Sequence, residues 1–207
     1  MNAAAPNPIQ DGAADPRWQA VFARLMQTEG GFVDSPGDPG GATKYGLSLR
    51  YLAQQVSQTP SILAELDVNH DGQLDLPDIQ DMTLVEAATI YYRFFWLASG
   101  VNTLPQPLDA AVFDQVVNDG VVPAIRLLQA AINSLGRIWP PVIEDGVLGP
   151  ATRTSLNICI HQIGVEAVLD GYRAQAIARY HYIVRQSPTL AQYLAGWLNR
   201  AAELGDV

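Results

Sequence analysis

The hydrophobic positions of the chain recur mostly at helical spacing and predict a mainly α-helical protein. Asp15-Pro16 fits a helix start, and the apolar stripe that follows contains Trp18, Val21, Phe22, Leu25 and then Glu29. Similar spacing predicts helices over residues 50–56, 62–66, 84–95, 108–120, 121–135 and 164–204, the last broken near Ser187-Pro188. A further helix is expected to start at Gly149-Pro150. Strand-like alternation is scarce, so we expect at most a small β-hairpin.

Glu29 occupies an unusual place, because it continues a buried face at the point where Gly30-Gly31 should end the helix. An apolar surround and the negative end of the helix dipole both favour the protonated carboxyl, so we expect a raised pKa. A protonated carboxyl near neutral pH can act as a general acid. The sequence also allows a glutamate that caps the turn or pairs with Lys44 or an arginine.

The segment after Gly31 is rich in glycine and proline up to Gly46. Such residues favour tight turns of fixed conformation over loose connectors. The segment also carries two aspartates, Asp34 and Asp38. The run from Gly40 to Lys44 lacks the glycine that precedes the lysine of a phosphate-binding loop, so we exclude that interpretation.

A second acidic segment, "DVNHDGQLDLPD" over residues 67–78, has the spacing of an EF-hand calcium loop. Gly72 stands at the position of the sharp turn, and Asp78 replaces the usual closing glutamate. The oxygen ligands expected from this pattern are those of Asp67, Asn69, Asp71, Gln73 and Asp78. A single loop of this kind favours a structural Ca²⁺ over a sensor, whereas a solvated acidic loop is the alternative.

Composition and charge restrict the partners. The 207 residues are 48% hydrophobic and 16% charged, as in ordinary globular proteins. A net charge of −9 argues against nucleic acid as the main partner. The longest apolar runs are too short for stable membrane insertion, and residues 1–15 are expected to form a flexible leader without the features of a secretory signal. Cys159 lies in an apolar run and is expected to be buried.

Several segments together resemble glycoside hydrolase family 108. "TEGGFVDSPGDPGGATKYGLS" resembles the signature of these lysozyme-like N-acetylmuramidases of phage endolysins and bacterial cell-wall enzymes. "AATIYYRFFW", "AVFDQVVNDG" and "DGVLGPATRTSL" are similar, in order, to the family's next helix and its C-terminal predicted peptidoglycan-binding portion. The resemblance runs from about Trp18 to Trp197. It implies a two-lobed lysozyme-like fold, with residues 16–104 as the catalytic portion and 105–207 as the wall-binding portion.

The resemblance also implies roles for single residues. Glu29, in the Glu-Gly-Gly motif, is implied as the catalytic acid, and Asp38 and Thr43 resemble the aspartate and threonine that serve the opposite face of the sugar in phage-type lysozymes. Asp34 is an alternative to Asp38. Tyr45 and Asn118, which lie within the matching segments, are expected to bind substrate. The loop at 67–78 departs from the simplest family pattern, so no catalytic role transfers to it.

The implied activity is hydrolysis of the β-1,4 bond between N-acetylmuramic acid and N-acetylglucosamine in bacterial peptidoglycan. A lytic transglycosylase and a non-catalytic, calcium-stabilised wall-binding protein are the alternatives. We expect a monomer that is made in the cytoplasm and reaches the wall in the periplasm after holin release or export. The sequence does not distinguish a phage endolysin from an effector aimed at a rival cell.

Overall fold

The computed structural model describes residues 12, 14–28, 31–33 and 41–207. The described chain is mainly helical and contains one two-stranded sheet, which confirms the predicted fold class. It forms two compact units, one ending at Arg93 and the other beginning at Phe94. Within the described residues, no helix has the length and apolar character needed to cross a membrane. The division into catalytic and wall-binding portions at residues 104/105 stays a prediction.

The first unit contains five helices and the β-hairpin among its described residues. In chain order these are α1 (Pro16–Thr28), β1 (Thr43–Lys44), β2 (Leu47–Ser48), α2 (Leu49–Gln58), α3 (Leu63–Leu66), α4 (Leu76–Asp81) and α5 (Leu84–Ile90). A 3₁₀ turn over Pro60–Ile62 connects α2 to α3. A π-helical segment, Tyr91–Leu97, follows α5.

Helix α1 begins as its sequence predicts. The Asp15 carboxylate accepts hydrogen bonds from the amides of Arg17 and Trp18, at 3.0 and 3.2 Å, and so satisfies donors of the first turn. Its predicted apolar stripe is buried at Trp18, Val21 and Leu25, while Phe22 is half-buried. Glu29, the last position of the stripe, lies outside the described residues, as does most of the predicted leader.

The aromatic run after α5 belongs to the interior. In the first unit Tyr91 and Tyr92 are buried, and in the second unit Phe95 and Trp96 are buried. A capping box starts α5: the Thr83 amide donates to the Glu86 carboxylate at 2.6 Å and the Glu86 amide donates to the Thr83 hydroxyl at 3.3 Å. These four aromatic residues therefore contribute to the cores of their units.

The second unit is helical throughout its regular structure. After a 3₁₀ turn at Val101–Thr103 it contains α6 (Leu108–Asp119), α7 (Val121–Ser134), α8 (Pro150–Ile163), α9 (Val165–Gln186) and α10 (Leu194–Ala202), with a 3₁₀ segment at Pro188–Tyr193 before α10. Helix α9 is the central element, because it packs against α7, α8 and α10. Cys159 is buried on α8, as predicted.

The long connection between α7 and α8 is held by two amide side chains of α7. Gln129 donates to the carboxylate of Asp145 at 2.7 Å and accepts from the amide of Gly146 at 2.9 Å. Asn133 donates to the carbonyl of Val142 at 3.0 Å and accepts from the same residue's amide at 2.9 Å. Because these bonds satisfy main-chain groups outside regular structure, they fix the path of the connection.

Gly146→Ala is expected to destabilise this unit by roughly 2–4 kcal/mol. Gly146 has a φ of +80°, and an added Cβ would lie 2.6 Å from Val122 Cγ1 and 2.8 Å from the Val122 carbonyl oxygen. Gly164→Ala is the matched control, because Gly164 has a φ of +86° and no atom within 4 Å of the added Cβ. It should cost only the conformational part, about 1–2 kcal/mol. Urea unfolding of both variants measures the difference, and equal losses would contradict the steric argument.

Candidate functional site

The β-hairpin contains the candidate catalytic residue Thr43 and the candidate substrate-binding residue Tyr45. Lys44, a possible partner of Glu29, lies between them. Thr43 pairs with Ser48, and Lys44 pairs with Leu47. The two turn residues, Tyr45 and Gly46, both have positive φ, at 51° and 80°. A two-residue turn with this geometry suits the twist of a hairpin, and glycine at its second position lowers the conformational cost.

Val33 and Thr43 close the glycine-rich segment from both sides. Each donates its amide to the other's carbonyl, and both N–O distances are 2.8 Å. Thr43 therefore joins Val33 on one side and Ser48 on the other. The candidate acids Glu29 and Asp38, together with Asp34, lie outside the described residues. Of the predicted catalytic set, the structure places Thr43, whose half-buried hydroxyl donates to the Gly41 carbonyl at 3.3 Å.

Two distant residues of the first unit hold the hairpin. The buried Tyr91 hydroxyl donates to the Tyr45 carbonyl at 3.0 Å, and the Lys44 ammonium donates to the Gln80 carbonyl at 2.5 Å. The ammonium also lies 5.6 Å from the centre of the Tyr45 ring. The roles of Tyr91 and Gln80 were not predictable, because no local pattern marks a contact between residues 36 to 46 positions apart.

Asn118, the other predicted substrate-binding residue, lies in the second unit near the end of α6. Its amide nitrogen donates to the Asp114 carbonyl at 2.7 Å and to the Asp114 carboxylate at 3.2 Å. Asp114 also forms an ion pair with Arg200, with an N–O distance of 2.9 Å. The exposed Asn118 side chain is thus already engaged on its own helix.

The acidic loop at 67–78 joins α3 to α4 and is folded around its own side chains. Asp67 accepts hydrogen bonds from the amides of Asp71 and Gly72, at 3.0 and 2.8 Å. The buried Asp78 carboxylate accepts from the amides of Val68, Asn69 and Asp75, at 2.8, 3.2 and 2.8 Å. Gly72 has a φ of +87°, which supplies the sharp turn that the sequence predicted.

Four carboxylates lie close together in this loop. Burial raises the pKa of the Asp75 carboxyl above its ordinary value, and the carboxylates of Asp71, Asp78 and Asp67 raise it further. Oδ1 of Asp75 is buried and has no hydrogen-bond partner. No group of three or more histidine, cysteine or acidic side chains in the described part of the chain converges as a metal site. An EF-hand loop instead combines carboxylates with amide and main-chain oxygens, so the donor types still fit Ca²⁺.

A cavity of about 560 Å³ in the first unit lies between α1 and α5. Its described lining is almost wholly apolar and includes Trp18, Phe22 and Leu84. Trp18 and Phe22 stack there with ring centres 5.4 Å apart. No acidic side chain is among the described lining residues.

Comparison with known proteins identifies both parts of the chain. Residues 22–120 match the family model of glycosyl hydrolase 108, and residues 123–202 match the model of the predicted peptidoglycan domain. The solved structure of SagA from Brucella abortus is similar to this chain, with a TM-score of 0.64, 22% sequence identity and 92% coverage of each chain. A search of curated proteins gave no match.

The structural similarity shows a shared fold, and the predicted lysozyme-like fold is confirmed. The family match indicates a glycosidase that acts on peptidoglycan. The second match supports peptidoglycan as the partner. Residues 22–120 of this chain are thus similar to glycosyl hydrolase 108, and residues 123–202, which follow them, are similar to the predicted peptidoglycan domain.

Proposed function

We propose that this protein is an N-acetylmuramidase that hydrolyses the β-1,4 bond between N-acetylmuramic acid and N-acetylglucosamine, with Glu29 as the general acid. The observation that carries the proposal is the match of residues 22–120 to glycosyl hydrolase 108, which includes the Glu-Gly-Gly motif. The described residues on both sides of the motif support it. Helix α1 ends at Thr28, directly before Glu29, and Val33 is bonded to Thr43.

In the proposed reaction Glu29 gives its proton to the glycosidic oxygen, so that the leaving sugar departs as an alcohol. Positive charge then develops at the anomeric carbon. Asp38 or Thr43, on the other face of the sugar, stabilises that charge or orients a water molecule that attacks this carbon. The water supplies the new hydroxyl group. Its second proton replaces the one that Glu29 gave to the glycosidic oxygen.

The buried face of α1 supports the assignment of the acid. Trp18, Val21 and Leu25 are buried, and position 29 continues their spacing along a helix. Thr43 suits a supporting role, because its main chain pairs with Val33 on one side and with Ser48 on the other. Its half-buried hydroxyl is therefore carried by a fixed backbone. Tyr45 and Asn118 remain the proposed substrate-binding residues.

The same proposal assigns a structural Ca²⁺ to the loop at 67–78. The side chains of Asp67, Asn69, Asp71 and Asp78 and the main-chain carbonyl of Gln73 would hold it. A divalent cation would offset the repulsion from the neighbouring carboxylates, which adds to burial in raising the pKa of Asp75. The ion supplies loop stability rather than a catalytic step, since the general acid and its supporting residues belong to other segments.

Mass spectrometry of digested sacculi tests the proposed reaction. A muramidase should release muropeptides that end in reducing N-acetylmuramic acid and that borohydride converts to the alditol. A lytic transglycosylase would release 1,6-anhydro ends, one water lighter and inert to borohydride. Reducing N-acetylglucosamine ends would mean cleavage of the other glycosidic bond. Either of these two products would contradict the proposal.

A further inference from the structure

We propose that a cleft beside Trp139 in the second unit binds the glycan strand of peptidoglycan, with one sugar ring stacked on the indole and a carboxylate facing Arg137. This inference rests on the proposed function, because it assigns a wall-binding surface to the same enzyme. The residues lie within 123–202, the part that matches the predicted peptidoglycan domain.

Trp139 differs from the other three tryptophans of the chain. Trp18 and Trp96 are buried and Trp197 is half-buried, whereas Trp139 exposes 91% of its surface. An exposed indole gains little for folding, because most of its apolar area stays in water. Ile143 nearby in the same connection is 80% exposed, so apolar surface is concentrated along this segment.

The segment that carries Trp139 follows α7 directly and is bonded back to that helix at its C-terminal end. Asn133 is bonded to both main-chain groups of Val142, and its amide also donates to the Glu144 carboxylate at 3.0 Å. Two prolines follow Trp139 and restrict the backbone further. A ligand that stacks on the indole would therefore meet a largely preorganised surface, which reduces the entropic cost of binding.

The cleft beside the indole has a volume of about 410 Å³. Its walls come from Asn133, Gly136, Arg137, Ile138, Trp139 and Pro141. The volume is within the usual range for a small-molecule site, roughly 300–1,000 Å³. Apolar walls with one exposed cation match an amphipathic, anionic ligand better than a purely apolar one.

Peptidoglycan has this chemistry. The C–H face of a pyranose ring packs on an aromatic face through dispersion, and its hydroxyl and acetamido groups remain at the wet edge. Stem peptides carry free carboxylates, and so do lactyl groups whose stem peptide has been removed; an arginine can pair with either in a bidentate geometry. The net charge of −9 opposes the approach of an anionic polymer. A cationic side chain in the cleft, Arg137, provides the local attraction that the chain as a whole lacks.

The test is binding of full-length protein to purified sacculi at low temperature, in both the wild-type and the Glu29→Gln backgrounds. Trp139→Ala should weaken binding by about tenfold or more, and Trp139→Tyr should restore much of it. Tyr182→Ala removes another exposed aromatic of this unit and is the matched control. It should change binding less than about twofold, and melting temperatures should show that all variants fold.

Soluble probes separate the two contacts. Neutral N-acetylglucosamine oligomers, which lack carboxylates, should lose affinity with Trp139→Ala and keep it with Arg137→Gln. Sacculi should lose affinity with both variants. Amidase treatment removes the stem peptides and frees the lactyl carboxylate from its amide bond, so it shows which carboxylate Arg137 can meet. A lost Arg137 effect indicates a carboxylate of the peptide, and a retained effect indicates that the freed lactyl carboxylate serves as well.

Unchanged sacculus binding by Trp139→Ala in both backgrounds would overturn the inference. Equal losses for Trp139→Ala and Tyr182→Ala would also overturn it, because the effect would then be non-specific. The proposed catalytic function fails separately, through the identity of the released ends. A protein that binds sacculi through Trp139 but does not release the expected ends would contradict only the catalytic proposal. A protein that releases these ends but binds equally well without Trp139 would contradict only the binding inference.

Discussion

Replacing Glu29 by glutamine is expected to lower the rate of wall lysis by roughly 10²–10⁴-fold, the usual contribution of a general acid. Glutamine has nearly the same size as glutamate, but its amide cannot give a proton to the glycosidic oxygen. The fold should be unaffected, because the change removes no apolar contact. Initial rates of reducing-end release from sacculi measure the loss, and circular dichroism with thermal melting checks the fold.

Conservative variants of the neighbouring polar residues test which of them stabilises the positive charge or orients the attacking water. Asp38→Asn should lower the rate strongly if that carboxylate faces the sugar, while Asp34→Asn makes the same change of charge and tests the alternative carboxylate. Thr43→Ser keeps the hydroxyl and Thr43→Val removes it, and both keep the backbone bonds to Val33. A valine variant with the activity of the serine variant would remove the Thr43 hydroxyl from the reaction.

Two outcomes would contradict the assignment of Glu29. A Glu29→Gln variant that keeps about a tenth or more of the wild-type rate is incompatible with a general acid. A variant with a clearly lower melting temperature would mean that the glutamate has a structural role, such as capping the turn. The pH dependence adds a third test, since the basic limb of the activity profile should disappear together with the acid.

The sequence predicted those parts of the fold that local chemistry specifies. The Asp15 cap and the buried stripe of α1 each depend on residues within about one or two helical turns. Such signals are readable from one chain, because the partners are neighbours in sequence. The burial of the aromatic run before Leu97 follows the same logic, since large apolar rings contribute most when they are buried.

Contacts between distant segments were not predictable in the same way. Nothing in the residues around Tyr45 indicates that Tyr91 binds its carbonyl, or that Gln80 accepts from Lys44. The connection at 135–149 was recognised as a loop, but not that Gln129 holds it, because a buried glutamine looks like any polar position on a helix. Trp139 had a visible signal, a tryptophan followed by two prolines, although its exposure became apparent only in the structure.

Calcium is expected to raise the melting temperature of the protein, and chelation should reverse the effect. An ion that binds the folded state alone stabilises it by about 2.7 kcal/mol when its free concentration is a hundredfold above Kd. For a chain of this size the shift is then roughly 5–10 °C. Calorimetry in calcium and in chelator measures it, and magnesium at equal ionic strength is the control for general screening.

Variants of the loop at 67–78 separate the contribution of the ion to stability from the contribution of the loop's hydrogen bonds. Asp71 is exposed, and its carboxylate accepts one local bond, from the Gln73 amide at 2.9 Å. Asp71→Ala should therefore change the stability in chelator by only about 1 kcal/mol or less, yet remove most of the calcium-dependent rise. Asp81→Ala removes the same charge from the exposed end of α4 and should leave that rise intact.

Asp78→Ala should be the most damaging change in this loop. The Asp78 side chain is fully buried and accepts hydrogen bonds from three main-chain amides. Their loss is expected to cost about 3 kcal/mol or more even in chelator, since each unsatisfied amide costs about 1–3 kcal/mol. A low melting temperature in chelator for Asp78→Ala, next to a normal one for Asp71→Ala, would show that hydrogen bonds order the loop before the ion binds. An identical melting temperature of the wild type in calcium and in chelator would remove the ion from the proposal and leave Asp78 as a purely structural carboxylate.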